Sequence, residues 1–500
     1  MRFDFIKNNF ADLNKNTDKL AISGSDRDVL WQQLYENIIS LENLYKQLNI
    51  PKGHLVMIYG HKESFYAQSI LSLIKSDIPY VPIDEIYPIE RIRKIKDITG
   101  SQVLINCTNK KIEVDFAIEI NSDLQIKKKF TPNYKNNIFY NSSNPLRYVM
   151  FTSGSTGEPK GVQISNNNIL SFLDWIKKDY NYSTNDVFMN QSPFTFDVSL
   201  YDILSSFMLG ASVLLVSRKL ASNNEEFLNK LKKYNISVWT STPSFVYIYL
   251  RNKDFNIDYL PKLKTFVFAG EILSTKIVDS LHKKFNIPKV INAYGPTEAT
   301  ITTTWINITP DLLKTISKMP IGYPKRDCKI LIDNKEEKAN KEGEIIIVGN
   351  HVSIGYFKNK KLTSSKFFKY KNQQAFRTGD LGFIENNIVY YTGRNDDLIK
   401  FHGYRIELGE IDTQINNVDF VDETVTIALK RNDEVKRIIS FVILKDKTNI
   451  LNYKQKIITN IETKIPSYMI PGDIVAIKQF PVNANHKIDK QKLTDIYKNI

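Results

Sequence analysis

Five hundred residues exceed what one hydrophobic core organises, so two or three domains are expected. With 42% hydrophobic and 24% charged residues the composition is that of a soluble globular protein, and no apolar run approaches the ~20 residues needed to span a bilayer, which excludes membrane insertion. Lys and Arg total 68 against 54 Asp and Glu, a formal charge of +14, but the basic residues are scattered through a Lys-, Asn- and Ile-rich chain rather than clustered, so no nucleic-acid footprint is indicated.

The chain opens Met1-Arg-Phe-Asp-Phe-Ile-Lys, polar where a signal peptide needs unbroken apolar sequence, and its two cysteines, Cys107 and Cys328, imply no disulfide framework. A cytoplasmic protein is expected. Leu55-Val-Met-Ile-Tyr and Val103-Leu-Ile-Asn read as buried strands, with helical apolar spacing from Ser64 to Ile74 between them. Asn121 to Asn144 is a polar, Asn- and Lys-rich stretch. From Leu146 to about Ile330, short apolar runs (Val213-Leu-Leu-Val, Ile236-Ser-Val-Trp, Thr265-Phe-Val-Phe, Val290-Ile-Asn) alternate with amphipathic segments such as Ile169–Ile176 and Glu225–Tyr234. That alternation predicts an α/β fold of sheets layered with helices. After Gly393-Arg-Asn-Asp-Asp the texture changes. Helices at Glu407–Ile415 and Tyr453–Lys464 and β-rich stretches at Thr424–Leu429, Ile438–Leu444 and Ile474–Ile477 predict a smaller α+β unit. The expected domains are therefore 1–395 and 396–500, the second mobile.

The sharpest local feature is Tyr148-Val-Met-Phe-Thr-Ser-Gly-Ser-Thr-Gly-Glu-Pro-Lys-Gly161, three glycines and four hydroxyl residues directly after a strand. Glycines let backbone N–H groups turn toward an anion, and hydroxyls add donors around phosphate oxygens. The order is not that of a Walker loop, since Lys160 neither follows Gly157 directly nor precedes Ser or Thr.

Thr152-Ser-Gly-Ser-Thr-Gly-Glu-Pro-Lys-Gly161 resembles the signature loop of the adenylate-forming (ANL) superfamily. Further segments fall in that superfamily's order: Pro79-Tyr-Val-Pro-Ile-Asp84, Asn292-Ala-Tyr-Gly-Pro-Thr-Glu298, Gly343-Glu-Ile, Arg377-Thr-Gly-Asp380, Gly393-Arg394, Lys400 through Glu407, and Asn485-His-Lys-Ile-Asp489. The resemblance implies ATP and Mg²⁺ as the reagents of carboxylate activation. Thr152, Ser153, Gly154, Ser155 and Thr156 would embrace the β- and γ-phosphates, and Glu298 would hold Mg²⁺. Asn292, Ala293, Tyr294, Gly295 and Pro296 would form the adenine side, with the Tyr294 ring as a stacking surface and Thr297 at the α-phosphate. Asp380 is expected on the ribose hydroxyls, with Tyr391, Thr392, Gly393 and Arg394 beside it. Lys487 would bridge the substrate carboxylate and the α-phosphate, acting with Thr297 as the catalytic pair. His486 stands where the superfamily usually has glycine.

Asp197, in Ser192-Pro-Phe-Thr-Phe-Asp-Val-Ser199, matches the aspartate that binds the α-ammonium in members acting on amino acids; otherwise it reads as a helix N-cap. Trp239-Thr-Ser-Thr-Pro-Ser-Phe-Val, Phe268-Ala-Gly-Glu-Ile-Leu and Phe401-His-Gly-Tyr-Arg resemble the D-alanine-activating, carrier-loading branch, whose members serve teichoic acid esterification. That branch implies a small amino acid, D-alanine first, and a separate acidic carrier protein bearing phosphopantetheine, since the sequence stops at Ile500 without a carrier domain. Ala269, Gly270, Gly295 and Ile301 would frame the small pocket, and Ala269 replaces the branch's usual cysteine, so glycine, L-alanine and L-serine remain open. For the transfer step the resemblance implies a swivel about Asp396, with Lys400 and Gly403 lining a thiol tunnel; Leu398 replaces a usual glutamine. The rival expectations are a stand-alone adenylation enzyme for another small amino acid, an acyl-CoA synthetase, and a non-catalytic nucleotide- or carrier-binding relative.

Overall fold

The computed structural model describes residues 18–134, 138–139, 141–154, 158–334, 342–431, 434–445, 452–482 and 488–499. Among the described residues, a seven-stranded sheet is built around Val56–Gly60, which pairs in parallel with Tyr80–Asp84 and Val103–Asn106. Every residue of these three strands is buried, which explains why they read as continuous apolar runs rather than alternating ones. The helix Ser64–Lys75 between them is buried over all but its last residue. At one edge Leu146–Thr152 and Lys160–Ser165 pair antiparallel, so the glycine-rich segment joins the two strands of a hairpin.

A nine-stranded sheet has a parallel centre of Ser212–Leu215, Val187–Asn190, Val238–Ser241, Thr265–Phe268 and Lys289–Tyr294, in that spatial order. One continuous core cluster takes Ile58, Tyr66 and Val162 together with Val213, Val267 and Ile291, locking the two sheets into a single body. The strand predicted at Ile236 begins instead at Val238, because Ile236 N–H still donates to Leu231 O at the end of the preceding helix Asn224–Lys233. The polar stretch after Asn121 contributes a short edge strand, Ile126–Lys128. A third, five-stranded sheet includes Gly343–Gly349, Gln373–Glu385 and Ile388–Arg394; its register sets Asp380 opposite Arg394.

The architecture changes between Arg394 and Leu398. Leu398–Phe401 and Tyr404–Glu407 form a hairpin closed by His402 and Gly403, both at positive φ (51° and 81°), as a two-residue turn requires. The helix Leu408–Asn416 follows, then Val421–Arg431 and Glu434–Leu444 antiparallel, with Asp473–Ala476 added in parallel. This part has its own core of Ile406, Ile411, Ile415, Ile457, Met469 and Ile474. No helix among the described residues is long and apolar enough to cross a membrane.

Candidate active site

The parallel strands of the large sheet end together, and in α/β folds the C-terminal ends of such strands are where ligands are received. Ser241 pairs with Phe268 and Phe268 with Asn292, which brings Thr242, Ala269, Gly270 and the Tyr294-Gly295 turn to one edge. Gly270 sits at φ +90°, and an added Cβ there would meet only Thr242 Cγ2, at 3.5 Å. Gly295 has no such freedom: a Cβ would lie 2.8 Å from Thr302 Cα, because residues 300–303 fold back until Thr303 N–H donates to Tyr294 O at 2.7 Å. That fold puts Thr300 and Ile301 at φ +56° and +67°, costly for side chains branched at Cβ.

The strained turn aims Ile301 N–H at Asp197 Oδ2, 2.9 Å away. Asp197 precedes the helix Val198–Leu209 but makes no side-chain cap, so its carboxylate serves the turn rather than the helix end. It is 5% exposed, and burial pushes its pKa up to about 6 against the opposing Ile301 hydrogen bond. Lys62 supports this loop from behind: Nζ donates to Ser192 O at 2.6 Å and lies 4.4 Å from the Phe194 ring centre.

Beyond the Tyr294-Gly295 turn, Tyr294 OH and Arg394 each donate to a different oxygen of buried Asp380. Each oxygen keeps a second lone-pair direction for a further donor. Arg394 is also held in two-point contact by Asp396, Nε to Oδ1 at 2.6 Å and Nη2 to Oδ2 at 2.7 Å, so the expected hinge residue is tied to the expected ribose contact. Asn292 Nδ2 donates to Pro320 O at 2.7 Å. Ala293 is buried on the same strand, while Tyr391, Thr392 and Gly393 line the strand that ends at Arg394; the Thr392 hydroxyl donates to Glu342. Pro296 caps the short 3₁₀ turn Thr297–Ala299, which presents Thr297 and Glu298.

The small part covers the glycine-rich hairpin and Glu298. Its hairpin pairs Ile399 with Ile406 and Lys400 with Arg405; alternation sends the isoleucines into the small core and Lys400, Arg405 and Glu407 toward the large part. Lys400 Nζ lies 5.8 Å from the Tyr294 ring centre, and burial lowers its pKa although Asp380 partly opposes this. Arg405 Nη1 reaches Glu298 Oε2 at 2.6 Å, and Tyr356 OH donates to Glu298 Oε1 at 2.8 Å. Burial alone would raise the Glu298 pKa, but Arg405, Lys160 and Tyr356 together hold it at about 2. Ser153 Oγ donates to Arg405 O at 2.9 Å and accepts from Glu407 N–H at 3.1 Å. Gly154 N–H donates to Glu410 Oε2 at 3.0 Å, and Lys160 pairs with Glu407 at 2.5 Å. No side chain fits at Gly154, where a Cβ would meet Glu158 O at 2.2 Å. The Thr152 hydroxyl is buried at the head of this loop without a partner among the described residues. Gly403 rests on Thr242, so the hairpin turn meets the edge that carries Ala269 and Gly270.

Ser155, Thr156, His486 and Lys487 lie outside the described residues. Of the other predicted residues, Asp197 and Ile301 are brought together, as are Tyr294, Asp380, Arg394 and Lys400, and Ser153 and Gly154 share the small-part segment that also engages Glu298. Sequence reasoning assigned no role to Arg405, Glu407, Glu410, Arg91 or Tyr356. Arg405 and Glu407 fall inside a quoted motif, but nothing in the sequence signals partners 107 to 319 positions away.

A glycine-rich hairpin facing a buried carboxylate, with a second unit folded over both, defines a two-part nucleotide-using enzyme. Residues 10–357 match the AMP-binding enzyme family and residues 410–487 its C-terminal domain, and the chain belongs to this family. It is 34% identical to a D-alanine–D-alanyl carrier protein ligase of Bacillus licheniformis, over 96% of both chains. It is 32% identical to the ligase of that name from Bacillus cereus strain B4264, over 95% of this chain and 96% of the other. The Vibrio cholerae adenylation domain AlmE, solved with glycyl-adenosine-5'-phosphate, shares the fold at a TM-score of 0.84 and 21% identity, over 99% of this chain and 98% of that one.

Proposed function

We propose that the protein activates a small amino acid, D-alanine before others, as its adenylate at the expense of ATP. It then passes the acyl group to the phosphopantetheine thiol of a separate acidic carrier protein, as in teichoic acid D-alanylation. The observation that carries this reading is Asp197: a buried carboxylate that makes no side-chain helix cap and meets the Ile301 N–H is a seat for an α-ammonium. The family relatives supply the rest. A basic chain in the cytoplasm suits an acidic carrier.

In this reading the amino acid lies with its ammonium on Asp197 and its side chain toward Ala269, Gly270 and Ile301, while Asp380 and Arg394 orient the ribose. The donors of Ser153 and Gly154 fix the β- and γ-phosphates, and Lys487 neutralises the charge that develops as the substrate carboxylate attacks the α-phosphate. Glu298 fits a magnesium ion. It is a lone, fully ionised hard oxygen ligand, its neighbour Arg405 already stands in as a cation, and no cluster of three or more protein ligands occurs among the described residues. That suits an ion that keeps water and phosphate in its shell and offsets their negative charge. The two parts, 1–395 and 396–500, then swivel about Asp396. The arrangement with Gly403 against Thr242 and Lys400 by Tyr294 is the one for thiol transfer.

A second reading keeps the chemistry and changes the acid. A Cβ at Gly270 would meet only the Thr242 methyl, and that open space favours tolerance of glycine or serine beside alanine. Amino-acid-dependent ATP–pyrophosphate exchange across a panel with both enantiomers, followed by loading of the carrier, separates the two. D-alanine is expected to lead. Preference for a fatty or aryl acid, or no exchange with any acid, would overturn the proposal.

A further inference from the structure

The turn over residues 297–303 carries Glu298 and aims Ile301 N–H at Asp197, yet Thr300 and Ile301 both sit at positive φ, a conformation that persists only where its surroundings enforce it. Three hydrogen bonds brace it from outside. Ser353 N–H donates to Glu298 O at 2.9 Å, the Thr300 hydroxyl to His351 O at 2.7 Å, and Lys325 N–H to Thr303 O at 3.0 Å. Behind them lies a second tier on one face of the helix Asn166–Asp179. Asn168 Nδ2 donates to Asn350 O at 2.7 Å and to Val352 O at 2.9 Å, fixing the segment that holds Glu298 and Thr300. Three residues on, the Ser171 hydroxyl donates to Asp327 and accepts from Lys325 Nζ, which also lies 3.2 Å from Asp327 Oδ1. The Lys325 side chain has no exposed surface, whereas that of Asp327 is 37% exposed. Burial first, and then this ammonium, push the pKa of the wholly buried His351 ring far down, so Lys325 carries the cation of the cluster.

We infer that Lys325 and Ser171 are positioning residues for the amino-acid seat: by clamping residues 325–327 to the helix Asn166–Asp179 they hold Thr303, and through it the Ile301 N–H, on Asp197. The inference rests on the adenylating reading and deepens it, since it names what keeps a strained donor on the carboxylate. A buried ammonium is stable only while its partners stay in place, so Lys325, bonded to Ser171 and Asp327, fixes its own backbone N–H at the turn. Both residues act through the backbone. Facing Asp197 are Glu298 from the turn, Arg405 from the hairpin of the small part and Tyr148 from the strand Leu146–Thr152. Burial pushes the Asp197 pKa up and the Ile301 N–H pulls it down, so a slack turn leaves burial less opposed.

The readout is the acid limb of kcat/KM for the amino acid, followed by pyrophosphate exchange in the full chain. Lys325→Met is expected to move that limb upward by about half a pH unit or more, and to raise KM for the amino acid severalfold more than KM for ATP. Ser171→Ala removes one link and leaves Lys325 its carboxylate, so it should shift the limb in the same direction by less. It decides the matter if Lys325→Met does not fold. A variant that is only less stable loses rate alike at every pH and leaves the limb in place. An acid limb absent from the wild type, or unmoved in Ser171→Ala and in Lys325→Met where that variant folds, overturns the inference alone. A wild-type chain that exchanges pyrophosphate with no amino acid overturns the adenylating reading with it.

Discussion

At the scale of single residues, the proposed function makes Asp197 the group whose ionisation decides whether substrate binds. Burial raises its pKa to about 6, so the free enzyme loses the anion as pH falls through about 6, and the ammonium then meets a neutral acid. The expected profile of kcat/KM for the amino acid is therefore flat above this point and falls about tenfold per pH unit below it. The substrate's own ammonium stays charged throughout that range and contributes no limb there. Asp197→Asn should abolish the acid limb and lower kcat/KM by about 10²- to 10³-fold, the cost of leaving one buried charge unpaired. Pyrophosphate exchange measured from pH 4.5 to 8 checks both. An acid limb that survives in Asp197→Asn would assign the titration to another group.

The element that matters most is the hairpin Leu398–Phe401 with Tyr404–Glu407. Its turn packs Gly403 at φ +81° against Thr242, where an added Cβ would lie 2.8 Å from the Thr242 methyl. Gly403→Ala should therefore slow acyl transfer from a preformed adenylate about tenfold or more, through left-handed strain and a clash with the Thr242 methyl. Adding Thr242→Ser, which removes the methyl, should recover part of the loss; single-turnover loading of the carrier measures both, and no rescue would mean that the contact is not the cause. The elements were legible to very different degrees. Val103–Asn106 and Thr265–Phe268 stand where the sequence placed them, because a strand buried on both faces announces itself as an unbroken apolar run. The start of Val238–Ser241 was misplaced by two residues, since Ile236 satisfies its N–H on the helix before it and local apolarity carries no record of that bond. The hairpin was visible only as part of a motif. Its alternation of Ile399 and Ile406 with Lys400 and Arg405 makes sense once one face has a core and the other a partner.

At the scale of the whole molecule, the order of motifs along the chain was legible but not the surface that the small part turns toward the large one. That choice is made by ion pairs such as Arg91 with Glu410 and Arg405 with Glu298, buried between groups more than a hundred residues apart, and no local pattern encodes it. The proposed function implies a division of labour between two lysines of the small part. Lys400 is partly buried beside the Tyr294 ring in this arrangement, while Lys487, which the proposed function assigns to the other one, lies outside the described residues; Lys490 pairs with Asp397 beside the expected hinge. If the two positions serve successive steps, the two lysines should fail in opposite ways. Lys487→Ala should lose amino-acid-dependent pyrophosphate exchange by about 10²-fold or more, the usual loss when a transition-state cation is removed, yet still load the carrier from chemically prepared aminoacyl-adenylate. Lys400→Ala should retain more exchange than transfer, because the buried ammonium contributes where the hairpin is docked. Rapid-quench measurement of each half-reaction gives both ratios. Equal losses in the two steps for either variant would mean that a single arrangement serves the whole reaction, and the swivel about Asp396 would have to be abandoned.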